Sequence, residues 1–161
     1  MRSGKKIASL VLSLILFFSM GINAKAANFE DLGKIVDGSQ LINTKESTVT
    51  LENLAKGNIL NNGTASVANN GNGEVNVSGS VLAGVVCDKL VLKMTLQRYS
   101  NGAWRHVQDF SYTKYNHSLL TKSYNVSVTK GYYYRVKAAC AAYKGDIVET
   151  KMPITDGIWI D

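Results

Sequence analysis

Three stretches of the chain alternate apolar and polar residues at period two, the mark of a strand with one buried face. From Glu74 to Val85, the residues Val75, Val77, Gly79, Val81, Ala83 and Val85 share one side. Leu90, Leu92, Met94 and Leu96 do the same against Lys93, Thr95 and Gln97. In the third stretch Tyr132, Tyr134, Val136, Ala138 and Cys140 line one side, with Tyr133, Arg135, Lys137 and Ala139 on the other. Shorter strands are read at Thr64–Asn69, Trp104–Tyr112, Tyr124–Val128 and Ile147–Met152. Between them stand Asn70-Gly71-Asn72-Gly73, Asn101-Gly102, Lys130-Gly131 and Lys144-Gly145-Asp146, residues that tolerate the positive φ of tight hairpins. The single proline, Pro153, suits a strand end or a sheet edge. Parallel strands would need crossovers of a dozen or more residues, and none is visible. The pattern therefore predicts an all-β fold: a single antiparallel β-sandwich of about seven strands over residues 57–161, with residues 27–56 as an extended segment along it.

The first residues break this pattern. Met1-Arg2-Ser3-Gly4-Lys5-Lys6 is basic and runs into an apolar stretch from Ile7 to Met20, followed by Ala24-Lys25-Ala26. A charged start, a short apolar run and a small-x-small site are the parts of a secretory signal peptide. The run falls short of the roughly 20 residues that span a bilayer as a helix, so residues 1–26 are expected to form a signal-peptide helix that is removed, leaving no stable membrane span. The protein is expected outside the cell, secreted or loosely associated with the cell wall.

Cleavage also changes the charge. The whole chain carries 18 Lys and Arg against 12 Asp and Glu; without Arg2, Lys5, Lys6 and Lys25 it carries 14 against 12, a net +2. The remaining bases are spread singly, without the clustered footprint that phosphate backbones require, so nucleic acid is not an expected partner.

The segment from Val126 to Ala138, VSVTKGYYYRVKA, resembles the corner between strands E and F of immunoglobulin and fibronectin type III domains. The resemblance implies an immunoglobulin-like sandwich in which Tyr132 or Tyr134 is the corner residue, its ring inward and its hydroxyl on nearby backbone. A second resemblance is carried by Ile35-Val36-Asp37-Gly38-Ser39, by Lys56-Gly57-Asn58-Ile59-Leu60 with Asn72-Gly73-Glu74-Val75-Asn76-Val77-Ser78-Gly79, by Gly131-Tyr132-Tyr133-Tyr134-Arg135-Val136 and by Thr155-Asp156-Gly157-Ile158. Together these are similar to a family of short secreted proteins of unknown function from Gram-positive, largely clostridial, bacteria. That likeness implies export and a small β fold, and brings no catalytic or binding residue with it.

The two cysteines, Cys87 and Cys140, both fall on the inward series of their strands. In an immunoglobulin-like sandwich those strands would lie in opposite sheets and end together, so an exported chain is expected to join them in a disulfide. Catalytic chemistry has little to draw on. After the signal only His106 and His117 remain, Asp109 lies three residues from His106 and hence on the opposite face of a regular strand, and no C-x-x-C or H-x-x-x-H spacing suggests zinc. No cofactor or metal is expected, and the protein is read as non-enzymatic. Tyr133, Arg135, Lys137 and Tyr143 offer aromatic rings beside cations on the outward side of one strand, a candidate binding face for a cell-surface glycan or protein. The expected role is an extracellular binding or surface-structural module. A secreted toxin-like or antimicrobial effector is the alternative.

Overall fold

The computed structural model describes residues 29–52 and 59–161, so the expected signal peptide lies outside the described residues. A short 3-10 turn at Phe29–Asp31 precedes nine strands: β1 (Ile35–Val36), β2 (Ser39–Ile42), β3 (Glu46–Glu52), β4 (Leu60–Gly71), β5 (Glu74–Ser100), β6 (Ala103–Ser127), β7 (Tyr132–Lys144), β8 (Ile147–Lys151) and β9 (Gly157–Ile160). Among the described residues no helix is long and apolar enough to cross a membrane.

The fold is all-β, but its strands form one curled mixed sheet rather than two antiparallel ones. Its order is β1-β2-β9-β7-β5-β4-β3, with β6 along the other edge of β5 and β8 beside β7. β2 and β9 pair in parallel, and the other ladders are antiparallel. Segments expected as separate strands are joined: residues 74–85 and 90–97 belong to the 27-residue β5, and 104–112 and 124–128 overlap the 25-residue β6. Residues before 57 also enter the sheet, because β3 pairs with β4 along its whole length.

One corner makes the curl. The β5–β6 ladder passes from Leu82↔Leu119 directly to Cys87↔His117, so β5 carries extra residues there. Extra residues in one strand bend it and change which side chains face the core. The buried series accordingly runs on odd positions to Ala83 and on even positions from Leu90 to Leu96. Val85, expected to face inward, is 43% exposed at the corner and Val86 is 57% exposed. On β6 the same corner holds Asn116, whose φ of 56° is left-handed.

The two halves of the bent hairpin then face each other. A Cβ at Gly79 would stand 2.9 Å from Met94 Sδ and 3.3 Å from Leu92 Cδ1 on the far half. Phe110 stacks on Tyr124, ring centres 4.6 Å apart, at the β6 side. Val67, Val77, Val81, Leu92, Met94, Leu96 and Val136 fill the space between. Hairpin ends follow ordinary turn chemistry: Asn72-Gly73 and Asn101-Gly102 both take positive φ, as two-residue hairpin loops require. Pro153 sits in the break between β8 and β9, its carbonyl accepting from Ala138 N at 2.9 Å.

Candidate functional site

β7 holds four of the residues singled out from the sequence, and the structure separates them. Tyr133 and Arg135 are not on an open face. Arg135 is 1% exposed and Tyr133 fully buried. The cover is the chain's own N-terminal hairpin together with β9, which the alternation of β7 gives no sign of. Arg135 donates through Nε to Gln97 Oε1 (2.9 Å), through Nη1 to Asp37 O (3.0 Å) and Ser39 Oγ (2.8 Å), and through Nη2 to Asp37 Oδ2 (2.7 Å). Its guanidinium lies 4.4 Å from the centre of the Trp104 ring. Trp104 Nε1 donates to Val36 O, and Ser39 Oγ donates to Thr155 O. Arg135 thus clasps the turn between β1 and β2 to the sheet, with three hydrogen bonds to Asp37 and Ser39 and a fourth to Gln97 on β5. Its hydrogen bond and charge hold the Asp37 carboxyl below the usual range. Tyr133 packs edge-on against Trp159, 4.9 Å between centres, and its hydroxyl is buried without a hydrogen-bond partner among the described residues.

Tyr134 is buried and its hydroxyl donates to Thr129 O at 2.7 Å, while Tyr132 is half-buried with the Arg98 guanidinium 4.5 Å from its ring centre. Burial raises the pKa of Tyr134.

The expected Cys87–Cys140 bridge is not formed; both cysteines are free and buried. β5 and β7 are neighbours in the sheet rather than partners across a core, and Cys140 is paired with Leu92. Cys87 lies five residues further along β5, roughly 17 Å at about 3.4 Å per residue, where a bridge needs Cα atoms within about 7 Å. Burial pushes the Cys140 thiol up to about 11 and raises that of Cys87 as well.

His106 and Asp109 meet, contrary to their spacing. Residue 107 is skipped in the ladder (Leu96↔Gln108, Gln97↔His106), which brings both side chains to one side: His106 Nε2 lies 3.0 Å from Asp109 Oδ2. Thr95 Oγ1 donates to Asp109 Oδ1 at 2.7 Å. These bonds, that from Thr95 first, lower the Asp109 pKa. The carboxylate stands in the middle, so the imidazole does not take the Thr95 proton as a catalytic triad would require. Among the described residues no group of three or more His, Cys, Asp or Glu could hold a metal ion.

Lys137 and Tyr143 keep their place on the outer side of the β7–β5–β6 ladder, where residues missed in the sequence join them. The registers set Lys89 between Tyr143 and Tyr115, Lys93 between Ala139 and Ser111, and Thr95 between Lys137 and Asp109. Lys89 Nζ sits 3.9 Å above the Tyr143 ring, and Tyr115 is 63% exposed. A groove of about 370 Å³ is lined by Lys93, Met94, Thr95, Asp109, Phe110 and Ser111. Lys89 and Lys93 were readable as outward by parity alone, whereas Tyr115 lies in a stretch without alternation; what parity does not say is which strands lie beside each other.

These features define an all-β protein of one curled mixed sheet whose outer face carries three lysines and two tyrosines. The chain belongs to the family described as a family of unknown function, DUF6147, whose profile matches residues 32–156. No curated protein matches the sequence. Among solved structures it is similar to the sporulation control protein Spo0M from Bacillus subtilis, with a TM-score of 0.33 and 9% identity, over 73% of this chain and 51% of that one. The chain thus spans about half the length of that structure.

Proposed function

We propose that this protein is an exported, non-enzymatic module that binds an anionic polymer of the cell surface through the outer face of β5, β6 and β7. The observation that carries the reading is the placing of Lys89, Lys93 and Lys137 on that one face, flanked by Tyr143 and Tyr115. Asp109 is the only acid in the rows that hold these lysines, and it is engaged by Thr95 and His106. Between the lysines lie Ala139, Ala141, Val91 and Thr113, short side chains that leave a flat strip on which an extended polymer can lie. Charge complementarity of this kind gives attraction that weakens as salt shortens the Debye length.

Sedimentation of the chain from residue 27 onward with purified Gram-positive cell walls tests it. Retention is expected at low salt and should fall at about 1 M salt, where the Debye length is about 3 Å. Reversing the three charges (K89E, K93E, K137E) should weaken retention at least about tenfold; Lys93 is exposed but Lys89 and Lys137 are half-buried, so a thermal melt of the triple variant checks that it stays folded. Undiminished retention of the triple variant would overturn the reading.

A further inference from the structure

We propose a second binding site, for one neutral pyranose residue of a glycan, in the cleft between the β2–β3 loop and the end of β9. It shares no lining residue with the basic face. The cleft measures about 240 Å³ and is lined by Asn43, Thr44, Lys45, Asn69, Trp159 and Asp161. That is below the roughly 300 Å³ at which drug-sized pockets begin, so it suits a single ring.

Trp159 is its one aromatic wall, and the fold holds it in place. Tyr133 and Phe29 meet the indole edge-on, at 4.9 and 5.6 Å between centres, and Asn69 Nδ2 donates to the Trp159 carbonyl at 3.3 Å. Asn69 Oδ1 in turn accepts from Gly71 N, so this amide is a positioning group. The groups at the rim are different. The Asn43 amide, the Lys45 ammonium and the Asp161 carboxylate make no hydrogen bond or ion pair among the described residues, although all three line the same small space.

This mixture selects a ligand class. A pyranose has an apolar C–H face, which a rigid indole covers, and a rim of hydroxyls that both donate and accept. Asn43 can do both, Lys45 donates and Asp161 accepts, so each has a hydroxyl to meet. Lys45 shares the rim with an acid, which disfavours a phosphate or a carboxylate relative to an uncharged ring and separates this ligand from the anionic polymer proposed for the basic face.

The chain has two tryptophans, so the indole N–H resonances report separately: Trp159 in the cleft, and Trp104, bonded to Val36 O, as an internal control. Titration with soluble oligomers of glucose, galactose and N-acetylglucosamine should shift the Trp159 resonance saturably for at least one of them and leave Trp104 still. The shift should persist at about 1 M salt. N43A and D161N, both at exposed positions, should weaken the dissociation constant at least about tenfold with the Trp104 resonance unchanged, and the triple lysine variant should bind as the parent does. Absence of a saturable Trp159 shift with all three oligomers, or an unchanged constant in N43A and D161N, overturns the site whatever becomes of the basic face.

Discussion

Arg135 and Lys137 stand two residues apart on the same side of β7, both cationic, and only one of them meets water. A buried guanidinium survives because Gln97, Ser39 and Asp37 accept its protons and Trp104 covers its plane. Replacing it by Ala strands those acceptors, and about 3 kcal/mol of stability should be lost in urea unfolding; Arg135→Lys should recover little, since an ammonium cannot hold the fork. The cysteines give a second expectation. Two thiols should titrate in protein unfolded without reductant, and neither should be alkylated readily in the native state. Cys140 binds its proton more tightly when folded, so between the ordinary thiol range near 9 and about 11 the native state holds more protons than the unfolded one. Stability contributed by the neutral buried thiol is therefore intact below pH 9 and declines as pH rises through that window, which chemical denaturation at stepped pH would register.

Alternation marked β7 and, as two separate strands, the two halves of β5, and showed which of their sides is apolar, because burial of one face leaves a period of two in the residues themselves. It failed at the corner and along the middle of β6. Ala83, Val85 and Cys87 still read as a continuation of the inward series, yet the extra residues there turn Val85 outward. Ser111 to Leu119 has no alternation to read, because most of this stretch is exposed on both sides of a strand that pairs only with β5. Lys114 and Lys122 and the left-handed Asn116 suit such an edge, since charge and kinks discourage pairing with another chain. The folding-over of the hairpin depends on Gly79, whose missing Cβ admits Met94 and Leu92 from the facing half. Gly79→Val should cost about 1 to 3 kcal/mol by overpacking, seen as a lower denaturation midpoint with an unchanged m-value. Thr64 O, 2.9 Å from the same point, is backbone and cannot move aside cheaply.

For the whole molecule, the proposed export predicts that mass spectrometry of culture supernatant finds an N-terminus at Ala27 or within a few residues of it, and full-length chain confined to cells would contradict it. The family profile begins at residue 32, and the sheet takes in β1 to β3, so the part that would be released includes the segment that clasps Arg135. Half of the face read from the sequence, Lys137 and Tyr143, is on the surface; Tyr133 and Arg135 are beneath the N-terminal hairpin and β9. What the residues alone determined was the all-β class, the inward series of the strong strands and the hairpin turns, since each depends on neighbours a few positions away. Strand partners, the corner in β5, the fate of the two thiols and the meeting of His106 with Asp109 were decided by tertiary structure. Those features depend on register and on contacts such as Arg135 with Asp37, ninety-eight positions apart, which no local pattern encodes.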